Sequence, residues 1–140
     1  MKTLLLITVF VLLSGIAVSA QDNEDEVVHP IDKILSACVK ESRAPVHYAK
    51  CHDAALLAWE KDVTKTFAEL RLASPPDLRP YLDRSQRSWE QYRESEAAFI
   101  DHKYPKGDRY LAAKIVQREE IVRARALMLE ARLEAVKESH

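Results

Sequence analysis

The chain has 140 residues, of which 47% are hydrophobic and 31% charged, and its formal net charge is −1. This length suits one domain, and the near-neutral balance gives no electrostatic footprint for nucleic acid. Of the two glycines, only Gly107 lies outside the N-terminal apolar run. Because β-sandwiches, barrels and phosphate-binding loops need several glycines in their turns, the composition argues against all three.

The N-terminus has the three-part layout of a secretory signal peptide over residues 1–20. Lys2 is followed by an apolar run and a small-residue end. We expect cleavage after Ala20, and therefore a periplasmic or secreted protein. The apolar run is short for a bilayer span, so no membrane association is expected after cleavage, although an uncleaved anchor is the alternative. Residues 21–30 begin with QDNEDE and predict a disordered acidic leader.

Cys38 and Cys51 are the only cysteines. In an oxidising compartment we expect a disulfide between them, and closing this short loop contributes roughly 3 kcal/mol of stability. His47 and His52 lie near Cys51 and would complete a metal set of two cysteines and two histidines. The spacing differs from that of zinc fingers, and adjacent helical positions point about 100° apart, so we predict no metal site.

Prolines and the turn at Gly107 divide the remaining chain into four predicted helices. A short helix is expected from about Ile31 to Arg43, and a long one from about Val46 to Ala73. The third runs from about Asp77 to Lys103, and the fourth from about Asp108 to Val136. Three long amphipathic helices joined by short turns favour an all-α antiparallel bundle, to which the disulfide would staple the short helix.

Apolar residues recur along the long helices at steps of three and four, which predicts one core-facing stripe on each. On the second and fourth helices the stripes are Leu56, Trp59, Val63, Phe67 and Leu70, and Leu111, Ile115, Val122, Leu129, Leu133 and Val136. On the third helix the pattern predicts a heptad seam of Leu78, Leu82, Ser85, Trp89, Tyr92, Glu96 and Phe99.

Charged residues interrupt two of these stripes. Glu96 lies within the third helix's seam, where we expect a buried or half-buried Glu–Arg pair; a general acid or a specificity pocket is the functional alternative. On the fourth helix, arginines and glutamates alternate from Arg118 to Glu134 and predict a solvated mixed face. The histidines lie in no recognisable catalytic motif, so we predict no catalytic residues, no cofactor and no enzyme.

The segment from Arg84 to Glu96 resembles the signature of the LprI-like family, the N-terminal domain of the lysozyme inhibitor LprI. That pattern reads roughly alanine-glutamine-arginine-x-tryptophan, two residues, tyrosine-arginine-aspartate-x-glutamate-cysteine. The matching residues, interpreted as structural, are Gln86, Arg87, Trp89, Tyr92, Arg93 and Glu96. Cys38 and Cys51 match the family's first cysteine pair. The second pair is absent, because Ala97 stands where the family has cysteine.

This resemblance implies a small exported helical domain over residues 31–137 that binds a partner protein and inhibits a lysozyme (muramidase). An envelope structural or adaptor protein, or a toxin-immunity protein, that leaves lysozyme active is the alternative. Removal of residues 1–20 would leave 20 lysines and arginines against 22 acidic residues, a formal net charge of −2. This charge weakly favours a basic partner. The oligomeric state stays open, since exposed aromatic residues on a seam would also suit a homodimer.

Overall fold

The structure, a computed structural model, describes residues 28–139. The predicted signal peptide and residues 21–27 of the predicted leader lie outside the described residues. The chain forms four α-helices, α1 (Pro30–Glu41), α2 (Pro45–Ala73), α3 (Arg79–Lys103) and α4 (Leu111–Glu138), with one turn of 3-10 helix, Asp108–Tyr110, before α4. Residues 28–139 contain no β-strand, and the predicted all-α fold is confirmed.

Proline and glycine set the ends of the helices. Pro30 and Pro45 stand at the start of α1 and α2, where a missing N–H removes no intrahelical hydrogen bond. His29 caps α1, because its Nδ1 accepts a hydrogen bond from the backbone N–H of Ile31 at 3.2 Å. Between α3 and α4, Gly107 has a φ of 130°, a value that residues with a side chain rarely adopt.

The hydrophobic core lies between α2 and α4, which run parallel to each other. His52 meets Glu119 in the first half of both helices, and Leu70 and Val136 line one cleft near their far ends. The buried core cluster consists of Ala55, Trp59, Val63, Leu70, Val122, Ala126, Leu129 and Leu133. The apolar stripes predicted on the second and fourth helices therefore form the core, apart from Leu111, which is exposed.

The two remaining helices run antiparallel to this central pair. Arg71 of α2 binds Asp83 early in α3, and Arg118 of α4 binds Asp101 late in α3. The predicted disulfide is confirmed, since Cys38 near the end of α1 is bonded to Cys51 in α2. No residue of α1 itself is fully buried, but Ile31 and Leu35 pack against the core cluster. This packing, the disulfide and a few polar contacts hold the helix against α2 and α4.

The seam predicted on α3 is wrong at its first residue, Leu78, which is exposed, and in its second half. Ile100 is the buried residue of α3, whereas Tyr92 and Phe99 are exposed. Leu82, which packs against the core, and Ile100 are 18 residues apart, or five turns of about 3.6 residues, so they share one face. Residues spaced seven apart rotate by about 20° around a straight α-helix in each repeat. Over three repeats, a seam predicted with heptad spacing therefore leaves the core-facing side of α3.

The predicted mixed face of α4 is also wrong, because two of its charged residues are buried. Glu119 accepts a hydrogen bond from Nδ1 of His52 at 2.5 Å. Arg125 is only 4% exposed and points towards α3. A buried charge needs a polar partner. The polar gap in the apolar stripe of α4 is therefore the place where Glu119 binds His52. Among the described helices, none is long and apolar enough to cross a bilayer.

Candidate functional site

One side of α3 is fixed to the bundle by three residues of the signature segment. The guanidinium groups of Arg93 and Arg125 both lie over the ring of Trp89, with their central carbons 5.3 and 5.6 Å from the ring centroid. Such contacts are favourable because the ring faces carry negative charge density. Gln86 accepts hydrogen bonds from Nη2 and Nε of Arg125 at 2.9 and 3.3 Å. These contacts join α3 to α4.

Arg125 is held in an environment unfavourable to its charge. Burial lowers its pKa first, the nearby positive charge of Arg132 lowers it further, and the negative charge of Glu90 acts in the opposite direction. Arginine stays protonated at neutral pH, so its donors must find acceptors. The Oε1 atom of Gln86 supplies the principal acceptor, which gives the signature glutamine a structural task.

Arg93 connects α3 to α2. Its Nη1 donates to Oε1 of Glu60 at 3.2 Å, in a pair that is partly open to solvent and so contributes little stability. Both residues line a cleft of about 330 Å³ between α2, α3 and α4, together with Ala97 and Arg118. Ala97 is the position where the resembling family has a cysteine, so this cleft lies beside the missing second disulfide.

The other signature residues do not pack into the core. Arg87 is exposed, Tyr92 is 51% exposed, and Glu96 is half-buried. The expected Glu–Arg pair is wrong, because Glu96 makes no hydrogen bond or ion pair within residues 28–139. The signature segment therefore has a docking side, formed by Gln86, Trp89 and Arg93, and a second side with Tyr92 and Glu96 that makes no such contacts. Arg87 lies on the far side of the helix from Glu96.

Three aromatic side chains lie exposed along this second side of α3. Tyr81 is 67% exposed, Tyr92 is 51% exposed and Phe99 is 60% exposed. They are 11 and 7 residues apart, close to three and two helical turns, so the three rings share one face. We call these residues the α3 stripe. Counting the sequence at 3.6 rather than 3.5 residues per turn would have separated this stripe from the core face.

Two groups of side chains in the described part of the chain have the residue types of metal ligands. In the first, Cys38 and Cys51 are consumed by their disulfide, and His47 Nε2 lies 2.8 Å from the carbonyl oxygen of Cys38. In the second, formed by His29, Asp62 and Glu130, both ring nitrogens of the histidine already have protein partners. Neither group offers the free set of lone pairs that a metal ion requires.

The comparisons with known proteins agree with the fold. The sequence model of the family described as "Lysozyme inhibitor LprI" matches residues 38–134. No curated protein matches the chain. A crystal structure of an uncharacterised protein from Burkholderia thailandensis is similar, with 26% sequence identity and a TM-score of 0.70. The alignment covers 79% of this chain and 56% of the other, so this chain spans a little over half the length of that relative.

Proposed function

Because the chain belongs to the lysozyme inhibitor LprI family, we propose that it is an exported protein that binds a lysozyme and blocks its activity. The matched residues 38–134 include the whole of α3 and the disulfide. The family is described by lysozyme inhibition, and we accordingly assign no reaction to this chain. Its task is to recognise the surface of another protein.

The observation that carries the proposal is the α3 stripe. Aromatic residues are enriched where proteins bind each other, because they bury a large area while losing few rotamers. Single exposed apolar residues are ordinary, but here three exposed rings recur along one face of a helix. The neighbouring side of α3 is held by Trp89 and Arg125, so these rings are presented by a helix in a fixed orientation.

Export is part of the proposal. The predicted signal peptide over residues 1–20 supports it, and a disulfide such as Cys38–Cys51 persists in oxidising compartments and is rare elsewhere. The predicted charge of −2 after cleavage would steer the protein weakly towards a basic lysozyme. We therefore place the encounter in the periplasm or outside the cell.

The test uses the chain from Gln21 onwards, lysozyme and a turbid suspension of cell-wall peptidoglycan. The rate of clearing should fall as the protein is added and reach a plateau at saturation. Tyr92→Ala and Phe99→Ala should each raise the concentration for half-inhibition by about tenfold, the usual effect of truncating an interface anchor. Leu57→Ala is the matched control, because this α2 residue is as exposed as Phe99.

Undiminished clearing at excess protein would reject the inhibitor. If lysozyme nevertheless binds, the chain is an envelope adaptor or an immunity protein rather than an inhibitor. Equal effects of Leu57→Ala and Phe99→Ala would show that another surface is used.

A further inference from the structure

Glu96 lies between two residues of the α3 stripe. It follows Tyr92 by four positions and precedes Phe99 by three, and residues at these spacings on a helix have Cβ atoms about 5–6 Å apart. Glu96 as a residue is half-buried and has no hydrogen bond or ion pair within residues 28–139. A negative group without a partner among the described residues thus neighbours two aromatic positions of the α3 stripe.

The arginines expected to pair with Glu96 are engaged elsewhere. Arg93 binds Glu60 and Arg118 binds Asp101. Arg87 is exposed, lies on the opposite side of α3 from Glu96, and its charge acts on Asp83. The fourth candidate, Arg123, donates to Asp32 at 2.6 Å. Within residues 28–139 no cation therefore pairs with this carboxylate.

From this arrangement we infer that Tyr92, Glu96 and Phe99 form a receptor for one cationic side chain, a lysine or an arginine, of the partner protein. The inference rests on the proposed function and deepens it by naming the chemistry that α3 recognises. A cation bound here would be attracted by the carboxylate and by the negative faces of the flanking rings. The three residues then act as one site.

The carboxylate decides between possible occupants of the stripe. An apolar side chain laid across Tyr92 and Phe99 would remove Glu96 from water without replacing its hydrogen bonds, which is unfavourable. A cationic side chain removes the same water and supplies donors in exchange. A basic lysozyme offers many such side chains, in agreement with the excess of acidic residues in residues 21–140.

The experiment measures binding of the chain from Gln21 onwards to a basic lysozyme by calorimetry, at about 50 and about 200 mM salt. Glu96→Gln keeps the shape of the side chain and removes its charge. It should raise the Kd at least tenfold and reduce the salt dependence of binding. Glu94→Gln is the matched control, because Glu94 is exposed, lies two positions from Glu96 and points to nearly the opposite side of α3. The Kd of this variant should match that of wild type within twofold.

The outcomes separate this inference from the proposed function. If wild type binds lysozyme and Glu96→Gln binds equally well, the receptor is wrong while the inhibitor stands.

If wild type does not bind lysozyme, N-acetylarginine amide is titrated while the ring resonances of Tyr92 and Phe99 are followed by NMR. Saturable shifts that vanish in Glu96→Gln and persist in Glu94→Gln support the receptor. Unchanged spectra reject the receptor. It is also rejected if light scattering shows a dimer that Tyr92→Ala converts to a monomer, because a second copy of the chain then covers the α3 stripe.

Discussion

Arg125 crosses from α4 to α3 with almost none of its surface exposed, and it is fixed by Gln86 and by the face of Trp89. Sequence patterns could not identify this contact, because an arginine at a helical position is usually solvated and its partner is 39 residues away. The same holds for Glu119, whose burial depends on a histidine from another helix. Pairings of this kind depend on the relative rotation of two helices, which local spacing does not determine.

Substitutions at Arg125 should separate packing from charge. Arg125→Ala removes the stack on Trp89 and leaves a cavity, and it should lower the free energy of unfolding by about 3 kcal/mol. Arg125→Met fills most of the space without burying a charge, and it should lower the free energy of unfolding by only about 1 kcal/mol. Urea denaturation of the two variants checks the difference. Equal losses would show that hydrogen bonding to Gln86, rather than packing, is the main contribution.

The Arg71–Asp83 pair should make stability depend on pH in the acid range. The hydrogen bond from Arg71 lowers the pKa of Asp83, and the charges of Arg71 and Arg87 lower it further. A lowered pKa means that the stabilisation is complete above the ordinary aspartate value of about 4 and is lost as the pH falls through the folded-state value. Between about pH 7 and about pH 3, the thermal midpoint of wild type should fall more steeply than that of Asp83→Asn. Asp53→Asn, at an exposed position without a partner in the described residues, should keep the wild-type slope.

At the scale of elements, the order and bounds of the helices follow closely from proline, glycine and the apolar period. The sequence predicts that α2 ends at about Ala73 and α3 at about Lys103, and both ends are confirmed. What the pattern missed is the rotation of α3. Its apolar residues are spread over more than one face, so Leu82 and Ile100 select the core side while Tyr92 and Phe99 remain outside.

The first helix should depend on its disulfide. Because α1 has no fully buried residue, removing the bond leaves only the partial packing of Ile31 and Leu35 on the core and a few side-chain contacts, such as that of Asp32 with Arg123. The double variant Cys38→Ala, Cys51→Ala should lose roughly 3 kcal/mol of stability. Hydrogen exchange should show the amides of α1 unprotected while those of α4 stay slow. Full protection of α1 in the variant would mean that the remaining contacts hold the helix in place without the disulfide.

At the scale of the whole molecule, the arrangement is a tightly packed pair, α2 with α4, carrying two more lightly attached helices. The pair contains nearly all the buried apolar residues, including Trp59, Val122 and Leu129. The outer helices add a smaller set of apolar contacts, made by Ile31, Leu35, Leu82, Trp89 and Ile100. Polar contacts, cation–π stacking and one disulfide complete their attachment. This division leaves α3 with a free face while the core remains complete, which is the arrangement that a binding helix requires.

The parallel pairing of α2 with α4 also decides when this protein can fold. The two halves of the core are separated in the chain by α3 and both of its turns, so their contacts close a long loop. A nascent chain that ends before α4 has no partner for the apolar face of α2. The core can therefore close only after the last helix is complete.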